Sequence, residues 1–222
     1  MTCTAIFKKG LAAMAIELDE PAVAALCRYL AELKKWNAKM NLVGQGDDRT
    51  LIETHFLDSL TLLPLLREQL PAGPLLDIGS GAGFPGLALK CALPELAVTL
   101  AEPRQKRVSF LKHVIRTLGL KEALVVAERV EAGAAGFGGK DSFPLITSRA
   151  FADIPAFLAA SAGLSPPGGL VICMKGPKHE EEIAAWRMGT PASPYLLKEI
   201  RAARLPFSGI ERYLVVFQKG GK

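Results

Sequence analysis

The stretch that most restricts the fold is Leu75-Leu76-Asp77-Ile78-Gly79-Ser80-Gly81-Ala82-Gly83-Phe84-Pro85-Gly86. A short apolar strand runs into an acid, and glycines at alternate positions follow. Residues without a Cβ let a chain turn sharply and bring its backbone against a ligand. Glu102 closes the next apolar run, Ala97 to Ala101, where a carboxylate can accept both hydroxyls of a ribose. Strand, glycine turn, helix and a second strand ending in an acid predict an α/β domain with a nucleoside site at the strand tips.

Two frames compete at the glycines. Gly81-Ala82-Gly83-Phe84-Pro85-Gly86 satisfies the G-x-G-x-x-G dinucleotide fingerprint, a weak pattern alone. The frame Asp77-x-Gly79-x-Gly81-x-Gly83 sets an acid ahead of the turn instead. An acid there suits a cationic amino-acid group and repels a pyrophosphate, which favours S-adenosylmethionine over NAD. A purely structural glycine turn is the third reading.

The rest of the chain supports this organisation. Asp19-Glu20-Pro21 opens a helix with Leu26, Leu30, Leu33 and Met40 on one face. Thr50-Leu51-Ile52-Glu53 reads as a capping box starting a second helix, whose stripe continues through Leu57, Leu60 and Leu63. Pro71-Ala72-Gly73-Pro74 is a break, so residues 1–70 are expected to form an N-terminal helical extension packed on a catalytic domain of residues 71–222. Beyond the break, strands are predicted at 75–78, 97–101, 123–127, 144–147 and 170–174. Helices are predicted at 86–91, 104–118 with Gly119 as C-cap, 154–163 and 178–188, and a short helix or loop at 133–140. Tyr195 to Ala203 and Arg212 to Gln218 read as an antiparallel ribbon closing a mostly parallel sheet.

Composition removes several classes. A chain of 222 residues, half of them hydrophobic, suits one medium domain with an appendage. Its apolar runs are too short and broken to span a membrane, and no secretory signal is expected at its start. Cys3, Cys27, Cys91 and Cys173 form no C-x-x-C pair and are accompanied by only three histidines. Reduced, mostly buried cytoplasmic thiols and no metal site are therefore expected. The net charge of +5 permits a nucleic-acid partner and equally serves solubility.

Six segments carry a resemblance. In order they are Trp36-Asn37-x-Lys39-x-Asn41-Leu42, His55-Phe56-Leu57-Asp58-Ser59, the glycine stretch, Lys106-Arg107-x-x-Phe110-Leu111, Ser148-Arg149-Ala150-Phe151 and Lys175-Gly176. Over nearly its whole length the chain resembles the bacterial ribosomal RNA small subunit methyltransferase G family, also called glucose-inhibited division protein B. The resemblance implies a class I S-adenosylmethionine-dependent methyltransferase, Rossmann-like, with a mostly parallel seven-stranded sheet and an added helical part. It implies methylation at N7 of a conserved guanine in the decoding-region 530 loop of 16S ribosomal RNA. The implied setting is a cytoplasmic monomer acting on the small ribosomal subunit or an assembly intermediate, away from any membrane.

The family's contacts with S-adenosyl-L-methionine fall on Gly79, Phe84, Val130, Glu131 and Arg149. Asp77, Gly81 and Glu102 occupy the usual class I positions, with Asp77 near the methionine ammonium and Glu102 on the ribose. Val130 and Glu131 would border the adenine; without the family, Glu131 reads as a solvated acid. Phe84 stands where the family often has a smaller aliphatic residue.

Guanine N7 has an in-plane lone pair and no proton to lose, so its methylation needs neither a base nor a metal. Positioning and dipoles carry such a reaction. Arg149 is accordingly a catalytic candidate for positioning. It can read the guanine edge, hold a phosphate or order the cofactor pocket, although a guanidinium aimed at N7 would oppose methylation. Lys106, Arg107, Lys175 and Lys178 are RNA-binding candidates against the bland reading of solvated faces. His55 and Asp58, three apart, are expected to hydrogen-bond each other or lock the extension against the catalytic lip. Asn37 and Asn41 are expected to tie down the turn after Trp36, itself a core residue. The rival functions are an NAD-dependent oxidoreductase and a non-enzymatic ribosome-binding protein.

Overall fold

A computed structural model describes residues 1–69, 73–131, 142–149, 151, 153–190 and 192–221. The expectation for 133–140, together with Pro71, Ala72 and Ala150, lies outside these residues. The strands are β1 (Leu75–Ile78), β2 (Val98–Ala101), β3 (Ala123–Val126), β4 (Leu145–Arg149), β5 (Leu170–Lys175), β6 (Tyr195–Arg204) and β7 (Glu211–Lys219). They form one sheet in the order β3-β2-β1-β4-β5-β7-β6. The first five are parallel to one another, while β7 runs antiparallel to both β5 and β6. The strand order reverses direction between β1 and β4, and such a switch opens a crevice beyond the carboxyl ends of the strands.

Strand periodicity splits the core into two faces. Leu75, Leu145, Leu170, Ile172 and Val216 join one cluster with α1 (Cys3–Ala13), α2 (Glu20–Met40), α6 (Gly86–Ala92) and α7 (Gln105–Leu118). Leu76, Ile146, Val171, Cys173 and Phe217 join the other with α8 (Ile154–Ser161) and α9 (His179–Gly189). Both faces are therefore covered, which explains why β1 and β2 are buried along their whole length. No helix among the described residues is long and apolar enough to cross a membrane.

In the N-terminal part, Asp19 caps α2 by accepting from Ala22 N at 2.8 Å. At its far end Asn41 adopts φ 50°, and Asn37 Oδ1 accepts from Val43 N at 2.9 Å across the turn. The half-buried Trp36 packs on Phe110. Helix α1 was not foreseen, although Ile6, Phe7, Gly10 and Leu11 form its buried face. A Cβ on Gly10 would lie 2.3 Å from Leu57, so glycine is what lets α1 close on the following helices.

Two expectations need correction here. The second helical segment starts at Asp47, whose side chain accepts from Thr50 N at 2.8 Å, rather than at Thr50. It continues as α3 (Asp48–Leu51), a π-helical stretch (Ile52–Leu57), α4 (Asp58–Leu60) and α5 (Leu63–Gln69). Glu53 is not a capping-box acid; it is buried and accepts from Phe207 N and Ser208 N at 2.5 and 2.7 Å. The second correction concerns the thiols: Cys3 and Cys27 are joined as a disulfide between α1 and α2. Helix packing brings them together, a proximity their sequence spacing does not announce. Cys91 and Cys173 are free and buried, as expected.

Candidate active site

The turn after β1 needs its glycines. Gly79, Gly81 and Gly83 take φ values of 74°, 59° and 93°, in the left-handed region that disfavours a Cβ. The turn folds onto the neighbouring strand, with Gly79 N and Ser80 N both donating to Ala101 O at 2.9 and 3.1 Å. At Gly83 a Cβ would also meet the Tyr29 hydroxyl at 2.4 Å. That hydroxyl donates to Ala82 O, so α2 braces the turn from outside the sheet.

Asp77 lies beneath the turn and is fully buried. Its Oδ2 accepts from Gly86 N at 2.9 Å, at the start of α6, while Oδ1 has no hydrogen-bond partner. Burial pushes its carboxyl up to about 7, against the lowering effect of Gly86, Ser80 and Arg149. A buried oxygen left without a donor is costly, and a ligand bearing a cation would relieve it.

Glu102 follows β2, where Oε2 accepts from Gly81 N and Oε1 from Arg104 N, both at 2.9 Å. These bonds aim the carboxylate into a cleft of about 440 Å³ that also exposes Gly79, Arg107, Val130, Glu131 and Phe151. A carboxylate has about four lone-pair sites, so acceptor capacity remains for hydroxyl groups. Arg107 Nη1 lies 3.6 Å from Glu102 Oε2, which draws it into this cleft, whereas Lys106 stands on the open face of α7. Phe84 is 3% exposed, with its ring stacked on Tyr29 and His55 and edge-on to Phe56. The ring faces the helical part and does not line the cleft, which leaves its backbone for any ligand contact.

A second cleft, of about 480 Å³, adjoins the first, and Phe151 lines both. Arg149, ending β4, crosses it. Its Nη1 donates to Thr54 O at 2.8 Å and to Asp58 Oδ2 at 3.3 Å, and its Nη2 lies 3.1 Å from His55 Nδ1. Arg212 Nε donates to the other Asp58 oxygen at 2.9 Å. His55 and Asp58 are thus joined through Arg149 rather than to each other. Burial and the Arg149 charge push His55 down to about 4, so a neutral ring accepts from the guanidinium. Burial raises the Asp58 carboxyl, and the two guanidiniums oppose that rise.

Further along this cleft, Lys175 Nζ lies 2.6 Å from Glu182 Oε2, while Lys178 is exposed just ahead of α9. Sequence reasoning missed Tyr29, Thr54, Glu182 and Arg212 as site residues. They reach the site from distant segments, and only Glu182 is near a quoted motif, Lys175-Gly176. No cluster among the described residues has the makings of a metal site.

This sheet order, with its last hairpin reversed, is the class I methyltransferase arrangement. The chain is thus an S-adenosylmethionine-dependent methyltransferase by architecture. The family of rRNA small subunit methyltransferase G (GidB) matches residues 22–200, and the chain belongs to it. A protein named ribosomal RNA small subunit methyltransferase G from Desulfotalea psychrophila is 46% identical over 95% of each chain. Its namesake from Myxococcus xanthus is 41% identical over 95% of this chain and 94% of its own. A solved structure described as a predicted O-methyltransferase from Agrobacterium tumefaciens shares the fold, with TM-score 0.52 and 24% identity over 68% of this chain and 76% of that one.

Proposed function

We propose that the protein transfers the methyl group of S-adenosyl-L-methionine to N7 of a guanine in the 530 loop of 16S ribosomal RNA. It does so as a cytoplasmic monomer acting on the small subunit or an assembly intermediate. The observation that carries the cofactor reading is the unpartnered Asp77 Oδ1 under the glycine turn, a fit for an ammonium group. When bound, the cofactor supplies an electrophilic methyl carbon on a positive sulfonium.

The residues divide the work. Asp77 holds the methionine ammonium, Glu102 accepts from the ribose, and the backbones of Gly79, Gly81 and Phe84 pack along the ligand. Val130 and Glu131 border the adenine. With the cofactor bound, the N7 lone pair would form the new bond to the methyl carbon as the S–CH3 bond broke and the sulfonium left as a neutral thioether; no proton would leave, so the protein needs no base, and His55, held neutral against Arg149, is spared that task. Arg149 is tied by three contacts to residues 54–58. It acts by orienting the helical wall of the acceptor cleft rather than by touching N7. The extension, residues 1–70, supplies that wall and packs on the catalytic domain, residues 71–222. Lys106, Lys175 and Lys178, with Arg107 at the cofactor side, meet the RNA, which makes binding weaken with salt. Reaching the base requires it to be flipped out or already exposed.

An NAD-dependent oxidoreductase is disfavoured because Asp77, beneath the glycine turn, would set negative charge against a pyrophosphate. The test is nucleotide-resolution mapping of methyl transfer into small subunits purified from a strain lacking this gene. New N7-methylguanine at one nucleotide is expected. Its absence overturns the reading and favours a non-enzymatic ribosome-binding role.

A further inference from the structure

The acceptor cleft contains an ion pair that cofactor binding does not use. Lys175 ends β5, and Glu182 lies in the first turn of α9. Lys175 Nζ and Glu182 Oε2 are 2.6 Å apart, and both residues line the cleft beside Arg149 and Phe151. The carboxylate is held in place, since Glu182 Oε2 also accepts from Ile154 N, at the start of α8, at 3.2 Å. It is nonetheless accessible, with 29% of its side chain exposed. The cleft therefore presents a fixed donor next to a fixed acceptor, one hydrogen-bond length apart.

That order complements guanine. Beside N7 guanine carries the O6 acceptor, followed by the N1–H and N2–H₂ donors. Adenine carries the reverse, an N6–H₂ donor followed by a bare N1 acceptor. An adenine in this position would set its amino group against the ammonium and its N1 lone pair against the carboxylate. Sites built to hydrogen-bond a polar edge reject analogues strongly, because the protein groups are then left unpaired.

Resting on the methyl-transfer reading above, we propose that Lys175 and Glu182 read the guanine, with Lys175 donating to O6 and Glu182 accepting from N1–H. Gripping O6 and N1 leaves N7 uncovered. The Glu182 contact also strengthens as the reaction proceeds. Methylated N7 makes the ring cationic, so N1–H becomes a better donor and the carboxylate binds the transition state more tightly than the ground state. The pair is thus a specificity device with a contribution to turnover. The rival explanation is a purely structural pair pinning α9 to β5.

The test uses small subunits carrying guanine or adenine at the methylated nucleotide, prepared with tagged 16S RNA in a strain lacking this gene. Wild type, Glu182→Gln and Lys175→Gln are compared by kcat/KM, by S-adenosylhomocysteine affinity and by Tm. Either amide can donate or accept, so each variant should lower the guanine-over-adenine preference by at least about 10-fold, the scale of one good base contact. Affinity for S-adenosylhomocysteine should stay within about 2-fold, since neither side chain lines the cofactor cleft. Unchanged base preference in a folded variant overturns the proposal, even if activity or Tm falls. If one variant does not fold, the other decides. Wild type that leaves guanine subunits unmethylated overturns the methyl-transfer reading and the base-reading pair with it.

Discussion

Replacing Asp77 with asparagine should make stability less sensitive to pH while it removes cofactor binding. In the folded protein the carboxyl titrates at about 7, chiefly because it is buried; in an unfolded chain it titrates at about 3.9. The folded state therefore holds the proton more tightly, and stability from this group is present at low pH and lost as pH rises towards 7. The span of about three pH units corresponds to about 4 kcal/mol in full, of which about 2–3 kcal/mol falls between pH 5 and pH 8. Asparagine keeps an oxygen for Gly86 N and sets an amide where Oδ1 has no donor. That unsatisfied amide costs about 1–3 kcal/mol, but the cost does not depend on pH. The assay is urea denaturation of both proteins at pH 5 and pH 8, with and without S-adenosylhomocysteine. The stability of the variant relative to wild type should improve by about 2 kcal/mol from pH 5 to pH 8, since titrations common to both proteins cancel. Ligand should stabilise wild type alone. A stability difference that does not move with pH would refute the reasoning, as would equal stabilisation of both proteins by the ligand.

Other perturbations probe the surrounding parts. Gly83→Ala meets the Tyr29 hydroxyl at 2.4 Å and Leu87 at 2.9 Å, at φ 93°, so it should cost about 2–4 kcal/mol in denaturant melts and weaken S-adenosylhomocysteine binding. Arg149→Ala leaves Asp58 with Arg212 alone, and should cost about 1–3 kcal/mol by thermal unfolding and cut methyl transfer further than that loss explains. Arg149→Lys should rescue neither, because one ammonium cannot serve Thr54, Asp58 and His55 together; full activity in Arg149→Lys would remove its orienting role. His55 titrates at about 4 when folded and about 6.5 when unfolded, so its contribution is present above pH 6.5 and lost as pH falls towards 4. His55→Gln should flatten that part of the stability profile, opposite in sign to the Asp77 effect.

The donor side of this protein was legible because it is local. Asp77, the three glycines and Glu102 lie within one βαβ unit, and the turn's positive φ values demand the residues that stand there. Strands such as β1 and β5 betrayed themselves by short apolar runs bounded by Gly or Pro, and the strand ends matched within a few residues. What misled was chemistry satisfied at a distance. Thr50 and Glu53 spell a capping box, yet Asp47 takes the cap and Glu53 is claimed by a backbone 154 residues away. Cys3 and Cys27 look like unrelated thiols until α1 lies on α2.

The acceptor side follows the opposite logic, and that difference has a functional consequence. Its wall is assembled from the π-helical stretch, the end of β4, the end of β5, α9 and the start of β7. Arg149 spans a separation of 95 residues to reach Thr54, and Tyr29 one of 53 to brace the glycine turn. The glycine turn is built mainly from one short segment, whereas the wall of the second cleft needs Thr54, His55 and Asp58 of the helical part docked against β4, β5 and β7. Loosening that docking should therefore damage methyl transfer before it damages cofactor binding. Arg149→Ala is the case to measure: kcat/KM for subunits should fall by at least about 10-fold while S-adenosylhomocysteine affinity changes less than about 3-fold, the difference between losing an oriented wall and losing a ligand contact. Equal losses in both would mean that Arg149 serves the cofactor pocket itself.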